Sequence, residues 1–378
     1  MGWGQKTVKR IKVLWVTNAL GCGGAERQML YMYDIVKQYC DLDVSILYYA
    51  RVDDELDIEG VNTVYVDKQK IGKVRTVFEI ARYIKENEID IVHAFGGSSA
   101  NVYGRFGAAF TKAIPIGAML GKRHFASLPM KVMNSFLNLW GNWWTVNNQD
   151  LISIVMHDLK FTSQNRIRLL HNGFVPADKV DYQKGSVTDY DADKCENLTF
   201  AVAGRLQPVK NYDLFITAAR EIVKRYDKVR FWIVGNGQEY EKLSTLITEY
   251  GLNDHVRMWG YRTDVDTMMD RADVFVQTSY TEGSPNTIAE AMRARKPVIS
   301  TRSTDLREMI HEGKNGYVVP VDDCAALVRA MEKLIDTSPE KRSKMGSYSY
   351  KLFEENFLDQ KVAQEFHSFY KEVLRRKE

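Results

Sequence analysis

The chain has 378 residues, of which 45% are hydrophobic and 27% are charged. At about 150 residues per domain this length predicts two domains, and the composition excludes a disordered or collagen-like chain. A formal net charge of +3 argues against a nucleic-acid-binding protein. The four cysteines form no CxxC pair, which argues against a disulfide framework or a zinc site and fits a reducing compartment.

The beginning of the chain lacks the pattern typical of a signal peptide, because residues 1–12 are polar and basic. The longest uncharged stretch, residues 132–149, contains five Asn and one Gln and is therefore a poor membrane span. We expect a cytoplasmic protein, either free or attached to the cytoplasmic face of a membrane.

Short apolar strands alternate with amphipathic helices, a pattern that predicts parallel sheets covered by helices on both faces. In the first half, strands are predicted at residues 11–16, 44–49, 61–66, 89–93 and 114–117, and helices near 24–38, 73–87 and 98–112. In the second half, strands are predicted at 198–203, 229–234, 256–258, 274–277, 297–300 and 316–319, and helices at 211–226, 238–250, 285–295 and 323–336.

The polar stretch 181–197 separates the two halves and is typical of a linker. We therefore predict an amino-terminal α/β domain at residues 1–180, completed by a terminal amphipathic helix within 357–378, and a second α/β domain at 198–356. Ligands of parallel α/β sheets bind beyond the carboxyl ends of the strands. A cleft between the two domains is thus the expected active site.

The motif TEGSPNTIAEAM places two carboxylates, Glu282 and Glu290, eight positions apart. Ser284 is expected to cap a helix whose first residue is Pro285, and backbone N–H groups at residues 285–288 would bind an anion such as a diphosphate. One carboxylate would then hold the hydroxyls of a transferred sugar, and the other those of a ribose. The alternative is a capped surface helix with two solvated glutamates.

The motif GRLQPVKN directly follows the predicted strand 198–203 and contains Arg205 and Lys210. An arginine can bind two phosphate oxygens at once, and a lysine acts as a point charge. In a cleft these two cations would neutralise a departing nucleoside diphosphate. The alternative is a solvated loop whose lysine caps the next helix.

Gly23 and Gly24 belong to a glycine-rich loop after the first strand, where backbone amides can approach a phosphate or a sugar. This loop does not complete a GxGxxG fingerprint, so a nicotinamide cofactor is disfavoured. The DxD sequence at residues 191–193 lies in the linker, and we predict no metal requirement and no cofactor. His93 ends a strand and is expected to face the cleft as a catalytic residue, the alternative being a structural histidine.

Together these motifs resemble the retaining GT-B glycosyltransferases, specifically glycosyltransferase family 4, the "glycosyl transferases group 1" type. The resemblance runs almost unbroken over residues 200–322 through GRLQPVKN, IVGNGQE, RADVFVQTSYTEGSPNTIAEAM, KPVIST and GKNGYVVPVDD. It is looser in the first half, through GGAER, DIVHAFG and HNG. The fold implied is two Rossmann-like domains facing each other across a cleft, with the final helix crossing back to the first domain.

The resemblance also implies a role for each motif. Arg205 and Lys210 would hold the diphosphate of a nucleotide-sugar, and Glu290 would bind its ribose. The Gly23–Gly24 loop would close over the donor from the first domain. Glu282 and the backbone around its neighbours would hold the donor sugar and phosphate; these neighbours are Gly283, Ser284, Pro285, Asn286 and Thr287.

Such enzymes transfer a sugar with retention and without a metal, here with a UDP-sugar as the expected donor and a glycan or lipid-linked acceptor. Two other reactions share the fold, nucleotide-sugar epimerisation and glycoside phosphorolysis, and a non-catalytic sugar-nucleotide or membrane-binding protein is a further alternative. The chain departs from the family pattern at Phe95 and in the segment 304–307. It departs again near Lys122, Arg123 and His124, and any one of these three residues could lie near the donor sugar. These departures bear on specificity.

A basic, Trp-bearing stretch lies at residues 129–144, and its apolar residues recur at helical spacing. Such a helix can lie in a membrane interface and reach a lipid-linked acceptor. The alternative is that the apolar stripe packs on the sheet of the first domain. The members of the stripe are Met130, Val132, Met133, Phe136, Leu137, Trp140 and Trp144, with Trp143 beside them.

Overall fold

The computed structural model describes residues 10–21, 24–53, 55–56, 58–95, 97–121, 127–180 and 197–376. The chain forms two compact units. Unit 1 runs from Met1 to Gly173 and resumes at Asp359, whereas unit 2 is Phe174–Leu358. Among the described residues, every helix is too short or too polar to span a bilayer.

Unit 1 contains a parallel sheet of seven described strands in the order β3-β2-β1-β4-β5-β6-β7. Its strands are β1 (Ile11–Thr17), β2 (Leu42–Tyr48), β3 (Thr63–Tyr65), β4 (Ile91–Ala94), β5 (Ile114–Met119), β6 (Trp143–Val146) and β7 (Ile167–Leu169). Its helices are α1 (Gly24–Tyr39), α2 (Lys68–Ile71), α3 (Lys73–Glu86), α4 (Ser98–Ala109), α5 (Leu128–Leu137), α6 (Asp150–Asp158) and α13 (Asp359–Arg375).

Strand β1 shows how the sheet is covered on both faces. Val13 and Trp15 belong to a core cluster with α1 and α13, whereas Leu14 and Val16 belong to a cluster with α3 and α4. Alternate side chains of a strand point to opposite faces, so a central parallel strand is apolar throughout. The predicted terminal helix is confirmed as α13, which packs on α1.

Unit 2 contains a parallel sheet of six described strands in the order β10-β9-β8-β11-β12-β13. Its strands are β8 (Leu198–Ala203), β9 (Val229–Val234), β10 (Val256–Gly260), β11 (Val274–Gln277), β12 (Val298–Thr301) and β13 (Gly316–Val319). Its helices are α7 (Tyr212–Val223), α8 (Tyr240–Glu249), α9 (Val265–Arg271), α10 (Asn286–Arg293), α11 (Cys324–Ile335) and α12 (Pro339–Asn356).

The boundary between the units differs from the predicted one at residues 180 and 357. The chain enters unit 2 at Phe174, whose N–H donates to Phe357 O at 2.9 Å and whose ring lies in the core of unit 2 with Phe353. This packing, which sequence composition does not reveal, assigns residues 174–180 to unit 2. The predicted linker at 181–197 lies, except for its last residue, outside the described residues.

The stripe expected at residues 129–144 does not form a single helix. Trp143 and Trp144 lie in β6 and are buried, and Leu137 at the end of α5 is also buried. By contrast, Val132, Phe136 and other members remain exposed. The helical interpretation is therefore wrong for the two tryptophans, because a short buried strand that follows a helix can mimic its spacing.

Candidate active site

The loops that follow β8, β9 and β11 leave the same edge of the sheet of unit 2, because all its strands are parallel. The β8 and β9 loops pack backbone against backbone: Gly204 N donates to Val234 O at 2.9 Å, and Leu206 N to Asn236 O at 3.0 Å. A Cβ on Gly235 (φ +136°) would lie 1.9 Å from Gly204 O. Only glycine allows so close an approach, which fixes the loop carrying Arg205.

Arg205 lies two residues beyond β8 and is exposed. Among the described residues no carboxylate pairs with its guanidinium, in contrast to Arg293, which is buried and paired with Asp266. An arginine with five free N–H donors at a strand's carboxyl end is suited to bind an anion in bidentate geometry. The structure thus leaves this cation available for a ligand.

Lys210 and Glu282 meet although they come from different loops. Lys210 Nζ lies 2.7 Å from Glu282 Oε1, and Ser279 Oγ donates to the same oxygen at 2.6 Å. Both charged side chains are largely buried, with 23% and 14% of their side-chain surfaces exposed. Within the described residues Glu282 Oε2 has no hydrogen-bond partner, so one carboxylate oxygen remains open to a ligand hydroxyl.

Hydrogen bonds join the β8 and β11 loops into one rigid element. Thr278 Oγ1 donates to Lys210 O at 2.9 Å, and Tyr280 N donates to Val209 O at 2.8 Å. The loop after β12 supports the same element, since Thr304 Oγ1 donates to Gly283 O at 3.2 Å. The cation and the carboxylate are therefore positioned before any ligand binds, which lowers the cost of binding.

Helix α10 begins at Asn286, and Pro285 occupies the N-cap position without a side-chain cap. The prediction that Ser284 caps the helix and that Pro285 is its first residue is wrong. Pro285 instead accepts the N–H of Ile288 at 3.0 Å. Proline also lacks an N–H, so the donors at this helix start belong to Asn286 and the residues after it.

Glu290 lies in the second turn of α10 and is half-buried. Desolvation raises the pKa of its carboxyl group to about 7, although the nearby Arg293 and Lys210 favour the charged form. Among the described residues no side chain donates a hydrogen bond to it. A desolvated carboxyl group without a donor is suited to accept hydroxyls from a ligand.

His93 is fully buried in unit 1, so the expectation that it faces a cleft is wrong and the structural alternative holds. Its Nδ1 lies 2.8 Å from Tyr370 Oη, and its Nε2 lies 2.8 Å from Thr145 Oγ1. Desolvation lowers the pKa of the imidazole to about 3, which keeps it neutral. It connects β4 and β6 to helix α13, a contact that the local sequence could not reveal.

Gly24 is the first residue of α1 and is exposed. Its neighbour Gly23 lies outside the described residues, as do Lys122, Arg123, His124 and the DxD sequence at 191–193. Within the described part of the chain, no group of three or more His, Cys, Asp or Glu side chains is arranged to hold a metal ion.

Sequence reasoning missed the hydroxyl groups that organise the site, namely Ser279, Thr278, Thr301 and Thr304. Thr301 Oγ1 donates to Ser279 O at 2.7 Å and so holds the β11 loop to β12. One signal was present: short runs of Ser and Thr follow both β11 and β12. Hydroxyls at the ends of parallel strands commonly satisfy loop backbone groups.

Solved structures resemble the whole chain. The crystal structure of Anabaena Alr3699/HepE in complex with UDP matches with a TM-score of 0.82 and 19% identity over 96% of this chain and 100% of that chain. The two parallel sheets and the returning helix are thus those of a GT-B glycosyltransferase fold, as predicted.

Residues 192–352 match the family model described as "Glycosyl transferases group 1". This segment contains Arg205, Lys210, Glu282 and Glu290. This part of unit 2 is therefore similar to that group, and the resemblance noted from its motifs is confirmed.

Two curated relatives illustrate the range of similarity. The lipopolysaccharide core biosynthesis glycosyltransferase LpsE of Rhizobium meliloti is 34% identical over 30% of this chain and 34% of its own length. The UDP-Gal:alpha-D-GlcNAc-diphosphoundecaprenol alpha-1,3-galactosyltransferase of Escherichia coli is 23% identical over 88% of this chain and 90% of its own length. The first five curated relatives are matched over only 32–49% of their lengths.

Proposed function

We propose that this protein is a retaining, metal-independent glycosyltransferase that moves a sugar from a UDP-sugar to a glycan or lipid-linked acceptor during the synthesis of a surface polysaccharide or glycoconjugate. The observation that carries the proposal is the pairing of Lys210 with Glu282 at the sheet edge where Arg205 also lies, a cation for which the described residues provide no carboxylate partner. A site that must bind both a diphosphate and a sugar needs this combination of charges.

The chemistry requires that the bond between the sugar C1 and the diphosphate oxygen break while the acceptor oxygen bonds to C1. Negative charge then develops on the departing diphosphate, where Arg205, Lys210 and the start of α10 would stabilise it. A prepositioned donor of this kind contributes about 3 kcal/mol to the transition state. In a retaining reaction the acceptor attacks from the side of the leaving group, and its hydroxyl proton passes to the departing phosphate oxygen.

Glu282 would serve the sugar and Glu290 the ribose. The open Oε2 of Glu282 can accept a sugar hydroxyl while Lys210 and Ser279 hold Oε1 in place. The carboxyl group of Glu290, with its raised pKa, can accept a ribose hydroxyl without losing a protein contact. Both assignments agree with the roles that the family resemblance implies.

The choice of donor and acceptor class is supported by similar proteins. The Anabaena structure contains UDP, and the Escherichia coli relative is named for a UDP-sugar donor and a diphosphoundecaprenol acceptor. Because these proteins are 19% and 23% identical to this chain, they support a class of substrate and not a particular sugar.

The test is incubation of the full-length protein with UDP-, GDP- and ADP-sugars, with and without a lipid-linked glycan, in the presence and absence of EDTA. We expect acceptor-dependent release of UDP, unchanged by EDTA, and an anomeric configuration in the first product equal to that of the donor. Release of nucleotide only with a metal, or an inverted product, would refute the corresponding part of the proposal.

The same experiment separates the alternatives. An epimerase converts the donor into an isomeric sugar without an acceptor. A phosphorylase makes sugar 1-phosphate only when phosphate is supplied. A non-catalytic binding protein raises its melting temperature with UDP but releases no product.

A further inference from the structure

The side chain of Tyr212 is buried, and its hydroxyl has no protein partner among the described residues. Tyr212 is the first residue of α7, and 4% of its surface is exposed. Its ring belongs to the core of unit 2 together with Phe200 and Phe215. A buried hydroxyl that forms no hydrogen bond lowers the stability of the folded state, so its retention calls for an explanation.

Other buried tyrosines of this chain do have partners. Tyr49 Oη donates to Ser99 Oγ at 2.9 Å, and Tyr33 Oη accepts the backbone N–H of Asn62 at 3.0 Å. Both side chains are at most 5% exposed, as that of Tyr212 is. Buried phenol groups usually find a partner in this way. Tyr212 departs from this pattern, which suggests that its partner is a ligand.

The hydroxyl of Tyr212 lies beside the loop that carries the two cations of the candidate site. A Cβ on Gly204, the residue directly after β8, would lie 3.2 Å from Tyr212 Oη and 3.9 Å from Lys210 Cε. The hydroxyl and the lysine side chain therefore flank the same side of Gly204, and Arg205 follows in the sequence. Glycine at this position (φ +144°) leaves space that a side chain would fill.

The surroundings of Tyr212 keep its hydroxyl protonated. Burial raises the pKa of Tyr212 above the ordinary value of 10, and the charge of Glu282 raises it further. A phenol that stays neutral remains an O–H donor at every pH at which the protein would work. A phosphate oxygen bound by Lys210 is a strong acceptor for such a donor, because hydrogen bonds to charged groups are stronger than those between neutral groups.

The backbone that leads into Tyr212 is fixed by the neighbouring loops. Asn211 is left-handed (φ +50°) and buried, and its side chain donates to Asp322 Oδ1, beyond β13, at 3.0 Å. Thr278, which follows β11, donates to Lys210 O at 2.9 Å. A non-glycine residue in this conformation is kept there by its surroundings. The hydroxyl is thus positioned before a ligand binds, which lowers the cost of binding.

We propose that Tyr212 binds the nucleotide-sugar directly, its hydroxyl donating a hydrogen bond to an oxygen of the diphosphate. This inference rests on the proposed function, in which Arg205 and Lys210 hold that diphosphate. The free energy spent on burying the hydroxyl is recovered only in the complex, where the phosphate oxygen accepts its proton. The hydrogen bond strengthens as negative charge develops on the departing diphosphate, and so also favours turnover.

The test is Tyr212→Phe in the full-length protein, which removes the hydroxyl and keeps the ring. Calorimetric titration with UDP, and competition of inorganic pyrophosphate with UDP, should both show affinity at least roughly tenfold weaker than that of the wild type. The value of kcat/KM for the nucleotide-sugar should fall at least as much. The melting temperature of the ligand-free variant should equal or exceed that of the wild type, because an unpaired buried polar group is lost.

Tyr226→Phe is the matched control. Tyr226 packs on the same core but lies beyond the opposite end of α7, away from the candidate site. Removal of its hydroxyl should leave the affinities for UDP and pyrophosphate unchanged. An equal loss of affinity in the two variants would show that the effect does not depend on the position of Tyr212, and would refute the proposal.

Three further results would overturn this inference. The first is Tyr212→Phe binding UDP and pyrophosphate as tightly as the wild type does. The second is a lower melting temperature with unchanged affinity, which would assign the hydroxyl to the fold. The third is a loss of affinity for the nucleotide-sugar but not for UDP, which would place the hydroxyl at the sugar. These results leave the transferase proposal intact, whereas a wild type that bound neither UDP nor pyrophosphate would refute both.

Discussion

Lys210 and Glu282 form a 2.7 Å ion pair although 72 residues separate them, because β8 and β11 are neighbours in the sheet and the pair lies where both strands end. The pair gives the first prediction. Glu282→Gln keeps the shape but removes the charge that orients Lys210, and we expect kcat/KM for the donor to fall by about 100-fold.

A milder variant provides a reference for the loss of kcat/KM expected in Glu282→Gln. Ser279→Ala removes one hydrogen bond to Glu282 Oε1 but leaves Lys210 in place, and should cost about 1 kcal/mol, or roughly fivefold in kcat/KM. Steady-state UDP release measures both variants. If Glu282→Gln lost no more activity than Ser279→Ala, the charge of Glu282 would have no part in the reaction.

The second prediction concerns Arg205. Since its side chain is exposed and has no carboxylate partner among the described residues, Arg205→Ala should leave the melting temperature nearly unchanged. Turnover should nevertheless fall by roughly 100-fold or more, because the departing diphosphate loses a two-pronged donor. Arg205→Lys should recover only part of this lost turnover, since an ammonium group cannot form the bidentate hydrogen bonds of a guanidinium group. Near-normal turnover of the alanine variant would remove Arg205 from the mechanism.

Arg205 and Glu282 show what could be predicted from the sequence. Hydrophobic period predicts most of the order of strands and helices, although the sequence reading did not predict β6, β7, α6, α9 and α12. Arg205 and Glu282 follow strands that the sequence locates to within a residue or two. Parallel strands bring their carboxyl ends to one edge, so proximity of the two motifs was predictable.

Other features depend on tertiary packing and could not be predicted. His93 looked like a strand-end residue, but helix α13, far along the chain, covers it with Tyr370. Trp143 and Trp144 continued the spacing of α5 but lie in β6, because a buried strand needs no alternation. The predicted start of α10 is one residue too early, because Pro285 occupies the N-cap position and the helix begins at Asn286.

The third prediction concerns pH. The pKa of Glu290 is raised to about 7 in the folded protein from 4.5, so the folded state binds more protons than the unfolded state between these values. The contribution of this group to the free energy of unfolding therefore falls as pH rises from about 4.5 to about 7. Glu290→Gln removes this pH-dependent loss of stability, because glutamine does not ionise. The variant should therefore be more stable than the wild type at pH 8 by roughly 1–3 kcal/mol.

Chemical denaturation of both proteins at several pH values tests the difference, in which the other titrating groups cancel. The stability advantage of Glu290→Gln should be smallest near pH 5 and grow toward pH 8. The same variant should bind UDP-sugar more weakly at pH 8, where the wild-type carboxylate is charged. A difference in stability that is constant with pH would contradict the raised pKa.

The fourth prediction tests the structural role of His93. Tyr370 Oη accepts the indole N–H of Trp15 at 2.9 Å and lies 2.8 Å from His93 Nδ1, with all three side chains fully buried. Tyr370→Phe removes the hydroxyl and leaves two buried polar groups without a partner, which should lower the free energy of unfolding by about 2–4 kcal/mol. Thr145→Val, which removes the contact to His93 Nε2 and a long 3.5 Å hydrogen bond to Gly117 O, should cost less.

Neither variant should change kcat by more than a few-fold once the protein is folded, because the network lies inside unit 1 and touches no surface. Activity is therefore assayed well below each variant's melting temperature, with urea denaturation measured alongside. A loss of kcat in Tyr370→Phe that persisted at full folding, and that followed a shifted pH optimum, would return His93 to the catalytic mechanism. Loss of stability alone, with kcat preserved, would establish that His93 anchors the terminal helix to the sheet.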